Sequence, residues 1–192
     1  MAARSHGEWS YLRLVEALRQ ISSDPRRDAH ELFRRMVFNA AASNTDDHAR
    51  NHAILAMDKA WKLSPAYDLT PTPHIGQERF LTMIAGDQGT RASAENLLSQ
   101  ARRFLLAPEE AAALATEIAQ RVRNQWYGIA RREHVTEGDC EAIRLSFEND
   151  GFNFTSPPKP EQAPSKKGAR PKATAKEKGQ PKKKGLRGKT RA

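Results

Sequence analysis

The chain has 192 residues, enough for one domain with a buried core. Its formal net charge of +9 is unevenly spread: from Pro157 onward 13 Lys and Arg face 2 Asp and Glu, which leaves 19 basic and 21 acidic residues before that point. A single cysteine, Cys140, excludes an internal disulfide and fits a reducing compartment. No run of 18 apolar residues exists and the N-terminus lacks an apolar signal core, so no membrane span is expected and the location is read as cytoplasmic.

Apolar residues Leu12, Val15, Leu18 and Ile21 within "WSYLRLVEALRQI" predict a helix with one buried face. "SSDPRRD" breaks it, with Pro25 as punctuation. Asp28 is expected to cap a second helix running to about Ala42, with Leu32, Phe33, Met36, Val37 and Ala40 as its buried stripe. A charged loop follows over 43–51. "HAILAM" and "WKLSPAYD", flanking a "DK" turn, predict a small β-hairpin. "LTPTPHIG" reads as a loop and "RFLTMIAGDQG" as a short extended piece ending in a turn. Ser93 opens a helix across "AENLLSQARRFL". Pro108 begins a long helix with acids in its first turn and arginines in its last, as the helix dipole favours. Thr136 or Asp139 caps a final helix through "CEAIRLSF". Trp61, Tyr67, Trp126 and the methionines are expected in the core.

These elements give a mainly α fold with one small hairpin over residues 1–155, followed by a basic tail over 156–192. The tail has one leucine and no aromatic residue, too little apolar surface to offset the entropy of ordering, so disorder is expected there. Such a tail binds nucleic acid and other polyanions weakly and in a salt-dependent way, without aromatics to stack on bases.

The chemistry gathers in "SNTDDHARNHAIL", residues 43–55. Asp46 and Asn51 form D-x-x-x-x-N, the spacing of a protein-kinase catalytic loop. There the Asp faces the attacking hydroxyl and the Asn reaches back to a magnesium ion beside the phosphates. A kinase needs a further carboxylate for the metal, and Asp68 lies across the predicted hairpin from the loop. Hard oxygen donors of this kind suit Mg²⁺. Alone the spacing is weak; in the order loop, hairpin, Asp it is more specific. From the residues alone Asp47 rivals Asp46 as the base. His48 is read as a loop hydrogen-bonder before a proton carrier. His48 and His52, four apart, raise a transition-metal site that lacks a third ligand. Arg50 sits on phosphate or in solvent.

"ELFRRMVFNAAASNTDDHARNHAIL" followed by "LSPAYDLTPT" resembles the C-terminal lobe of HipA-type serine/threonine kinases, the toxins of bacterial toxin–antitoxin modules. The resemblance covers roughly residues 9–155 and is strongest at N-T-D-D-H-A-R-N and P-x-Y-D. It implies a protein-kinase-like C-lobe, ATP and Mg²⁺ as cofactors, and transfer of phosphate to a serine of a protein such as an aminoacyl-tRNA synthetase. It also implies a HipB-like helix-turn-helix antitoxin as partner. Carried across, Asp46 is the catalytic base, His48 the catalytic-loop histidine, Asn51 a magnesium ligand, and Asp68 the metal-binding aspartate in place of that of D-F-G.

A kinase also uses a glycine-rich loop and a strand lysine to hold the ATP phosphates. Before residue 43 there is one glycine, Gly7, and the first lysine is Lys59. The N-lobe is therefore expected to be missing. Two readings follow: a catalytic lobe that works with an N-lobe supplied by a partner subunit, or a truncated, inactive fragment acting as a binding module with a nucleic-acid-binding tail.

Overall fold

In a computed structural model of the chain, residues 9–57, 60–73 and 78–148 are described. The basic tail and its boundary at 155, the expected core position Met1 and the side chain of Met57 lie outside what is described there. Helix α1, Tyr11–Ile21, starts on Ser10, whose side chain accepts from the Leu12 amide. Tyr11, Leu12, Val15 and Leu18 form its buried face, while Ile21 leaves the expected stripe, 45% exposed at the helix end.

Helix α2, Pro25–Ala41, begins three residues before the expected cap. Asp24 is the N-cap and accepts from Arg27 N at 3.1 Å, so Pro25 starts the helix, where its missing N–H costs nothing. Asp28 is buried in the first turn with other work. Its Oδ2 accepts from Ser22 Oγ at 2.7 Å and from Leu63 N at 2.8 Å. The predicted stripe of Leu32, Phe33, Met36, Val37 and Ala40 is fully buried.

The expected hairpin is present as β1, Ile54–Met57, and β2, Ala60–Leu63, antiparallel with Ile54 opposite Leu63 and Ala56 opposite Trp61. Two residues of α2, two turns apart, hold it. Asp28 takes the Leu63 amide, and Arg35 donates to the carbonyl of Ser64 just past β2. Among the described side chains of the hairpin, those of Ile54 and Leu63 at one end pack on the core. Trp61 lies at the other end, 51% exposed, and Tyr67 is 43% exposed, so neither is the core residue its size suggests.

The stretch 79–92 forms isolated bridges, Ser10 with Ile84 and Phe80 with Arg91, and turns at Gly86 and Gly89. Buried Asn96 fastens that turn, donating to the carbonyls of Gly89 and Arg91 and accepting from the Gln88 amide. Helix α3, Ala94–Ser99, is capped by Ser93 as expected, but gives way to a 3₁₀ turn over Ala101–Phe104. Phe104 packs edge-on against Phe33 of α2, ring centres 5.5 Å apart. Helix α4, Pro108–Arg132, has Pro108 in its first turn and buries Ala111 and Ala115, small side chains that let it approach α2 closely. Helix α5, Glu137–Phe147, is capped by Thr136 and returns along α4, where Phe147 stacks on Trp126 at 4.9 Å. Among the described residues no helix is long and apolar enough to cross a membrane.

Replacing Asp28 by Ala strands the Leu63 amide and removes one of the two ties of the hairpin to α2. The expected cost is about 1–3 kcal/mol, read as a lowered urea midpoint; an unchanged midpoint would show that the hairpin is held otherwise.

Candidate active site

The loop over 43–53 is launched by the end of α2. Ser43 adopts the left-handed conformation, φ 55°, just beyond the helix. Asn44 N then donates to Asn39 O at 2.8 Å and Ser43 N to Ala40 O at 3.4 Å, the two backbone bonds of a Schellman termination. Glycine commonly fills this position and makes it visible; serine does not. In place of the usual apolar contact, Asn44 Nδ2 donates to Asn39 Oδ1 at 3.2 Å.

The paired aspartates then part. Asp46 is exposed, whereas Asp47 turns inward and is 1% exposed. Its Oδ2 accepts from the Tyr11 hydroxyl of α1 and lies 2.9 Å from His52 Nε2. Facing a carboxylate, that ring nitrogen carries the proton. Asn39 Nδ2 donates to Tyr11 Oη at 3.2 Å. Burial first, then the Asp47 charge, push the Tyr11 phenol well above its ordinary value of 10.0, so it remains a donor.

After Asp47, a 3₁₀ turn over Ala49–Asn51 reverses the chain, with Asn51 N donating to His48 O at 2.9 Å. Asn51 is buried, and its Nδ2 donates to Asp68 Oδ2 at 3.1 Å. Asp68 itself is exposed and left-handed at φ 57°, a strained geometry for a residue other than glycine. Asn44 Nδ2 holds its carbonyl at 3.3 Å, and Thr72 N binds Ser43 O at 2.9 Å. Tyr67, beside it, donates its hydroxyl to Arg50 O at 2.7 Å. The Arg50 guanidinium lies 5.6 Å over the Trp9 ring, and His48 meets the same ring edge-on at 5.5 Å.

Helix α5 closes the base of this loop. The Ser146 carbonyl accepts from Ser43 Oγ at 2.6 Å and from the Arg79 guanidinium at 3.1 Å, and Ser146 Oγ donates to Thr72 O at 2.9 Å. Burial lowers the Arg79 pKa to about 10, which keeps it charged at neutral pH against the negative end of the helix.

Of the four predicted site residues, Asn51 and Asp68 are brought into direct contact across 17 positions of sequence. Asp46 is exposed in the loop, and His48 packs on Trp9. His52, offered as a transition-metal ligand with His48, is bonded to Asp47, and among the described residues no three His, Cys, Asp or Glu side chains gather to hold a metal. The Asn51 and Asp68 pair suits Mg²⁺ instead. With the amide nitrogen of Asn51 turned to Asp68, Asn51 Oδ1 and the Asp68 carboxylate are hard oxygen donors of the kind that Mg²⁺ takes. A groove of about 510 Å³ between α4 and α5, lined by Trp126, Tyr127 and Cys140, contains none of these residues.

The roles of Tyr11, Asn39 and Asn44 escape a sequence reading, and Asp47, weighed there as a rival base, is found buried on Tyr11 and His52. Tyr11 looks like one more apolar residue of the α1 stripe, and its partner is 36 residues away.

The family described as the HipA-like C-terminal domain matches residues 1–126. A relative in Sinorhizobium fredii, the candidate kinase Y4mE, is 35% identical over 68 residues, which is 35% of this chain and 16% of that protein. Among solved structures the chain resembles HipA in the complex of HipA, HipB and operator DNA from Shewanella oneidensis, with a TM-score of 0.57 at 20% identity. That match covers 72% of this chain and 33% of the other, a likeness of fold. The chain thus spans a third or less of the length of these relatives.

An unfolded tyrosine ionises near pH 10, while folded Tyr11 keeps its proton. The folded state therefore binds more protons above that pH, and stability falls as pH rises through it. Tyr11→Phe should remove this fall while costing about 1–3 kcal/mol at neutral pH, where it strips a donor from Asp47 and an acceptor from Asn39. Urea unfolding of both proteins between pH 8 and 11 measures both effects; parallel pH profiles would contradict the buried phenol.

Proposed function

We propose, for a chain that belongs to the HipA-like C-terminal domain family, that this lobe carries the base and metal ligands of a serine/threonine protein kinase. The observation that carries the proposal is the contact of Asn51 with Asp68, beside a loop in which Asp46 alone of the two aspartates is open. In this reading Asp46 accepts the proton of a substrate serine as its oxygen bonds to the γ-phosphorus of ATP and the bond to the β-phosphate oxygen breaks, releasing ADP. Asn51 and Asp68 would hold Mg²⁺, which would supply positive charge against that of the phosphates. His48 steadies the loop against Trp9, and the two bonds and the burial of Asp47 favour Asp46 over it as the base.

The residues that grip the ATP phosphates in a kinase, a glycine-rich loop and a strand lysine, have no counterpart before Lys59. The proposal therefore includes an N-lobe contributed from outside these 192 residues. By family likeness the partners are a HipB-like helix-turn-helix antitoxin and a protein substrate such as an aminoacyl-tRNA synthetase, in the cytoplasm, with DNA approached through the antitoxin or the basic tail.

Labelling with radioactive ATP tests this. The chain alone should transfer no phosphate; with a HipA-type N-lobe added in trans it should label serine, and Asp46→Asn should reduce that by at least about a hundredfold, the scale of general-base catalysis. Labelling by the chain alone, or labelling that survives Asp46→Asn, would overturn the assignment. Failure with the N-lobe present would favour the inactive binding module.

A further inference from the structure

The Tyr11–Asp47 contact is one link in a longer path. Asn44 Nδ2 donates to the Asp68 carbonyl at 3.3 Å and to Asn39 Oδ1 at 3.2 Å. Asn39 Nδ2 donates to Tyr11 Oη at 3.2 Å, Tyr11 to Asp47 Oδ2, and His52 Nε2 meets that same oxygen at 2.9 Å. His52 follows Asn51, whose Nδ2 returns to Asp68 Oδ2 at 3.1 Å. The path begins and ends on Asp68.

Tyr11, Asn39, Asn44 and Asp47 are each 2% exposed or less. Water cannot replace a partner at such depth, so losing one bond leaves its neighbour unsatisfied. The donors run one way, from Asn44 to the Asp47 carboxylate, and each polarises the next. Packing alone does not call for four polar side chains between α1 and α2. What they add is geometry. Asn44 fixes the Asp68 backbone, Asp47 fixes the peptide next to Asp46, and His52 fixes the residue next to Asn51.

We infer that Tyr11, Asn39, Asn44 and Asp47 are positioning residues for a divalent-cation site at Asn51 and Asp68, their path of hydrogen bonds, closed through the backbone between Asn51 and His52, setting the spacing of the two ligands. The inference rests on the phosphotransfer reading of Asn51 and Asp68. Outer partners that orient ligands in this way commonly change metal affinity ten- to a hundredfold when removed.

The test uses the full ¹⁵N-labelled chain with Mn²⁺ as the paramagnetic probe. In the wild type, broadening should appear first at the Asn51 side-chain amide and the Asp68 backbone amide. Tyr11→Phe and Asn44→Ala should each weaken Mn²⁺ binding about tenfold or more. Phe104→Leu, whose lost contact is with Phe33 in the core, serves as the control for stability loss and should stay within about twofold of wild type. The inference is overturned if Tyr11→Phe and Asn44→Ala bind Mn²⁺ like the control. The metal-free spectra separate it from the function on which it rests. If wild type shows no broadening at Asn51 and Asp68, the phosphotransfer reading fails. The positioning claim then stands or falls on whether Tyr11→Phe moves the Asn51 side-chain amide resonances, and unmoved resonances refute it.

Discussion

A buried carboxylate governs the arrangement of this lobe. Asp47 sits beneath its own loop with one oxygen shared by Tyr11 and His52, and a charge so placed is tolerable only while those bonds persist. The consequence reaches the surface. With Asp47 drawn inward by α1, the turn at Thr45 and Asp46 leaves the Asp46 side chain in solvent. One of two adjacent, chemically identical acids thereby becomes structural and the other available.

The helices serve this loop. Helix α1 contributes Tyr11 from its first residue, α2 contributes Asn39 and the left-handed exit at Ser43, and α5 lays its last carbonyls on Ser43 and Arg79. The hairpin, tied to α2 through Asp28 and Arg35, carries the chain from Asn51 to Asp68 and returns it to the same place. Ser43 and Asp68, both left-handed, lie at the two ends of this excursion, joined through Asn44 and Thr72. Strain stored there is held by hydrogen bonds from elements that are themselves packed in the core.

Much of this was legible in the sequence. The stripes of α1 and α2, the hairpin, the Ser93 and Thr136 caps and the Pro108 start follow from local rules, and the D-x-x-x-x-N spacing with Asp68 beyond the hairpin pointed to two residues that touch. The misreadings share a cause. Pro25 signals a break as readily as a first turn, and only Asp24 accepting from Arg27 decides between them. Trp61 and Tyr67 are large and aromatic, yet among the described side chains the hairpin packs by its Ile54 and Leu63 end. Which of Asp46 and Asp47 is buried was left open, because it depends on Tyr11, a contact 36 residues distant that no periodicity encodes.

The account turns on Asn51 and Asp68 forming a cation site while Asp47 and His52 form none. Anomalous scattering from crystals of the chain soaked in Mn²⁺ addresses this directly. The predicted result is a peak bonded to Asn51 Oδ1 and the Asp68 carboxylate, with Tyr11 still on Asp47. A peak on Asp47 and His52 instead, or none at Asn51 and Asp68 at saturating Mn²⁺, would contradict it.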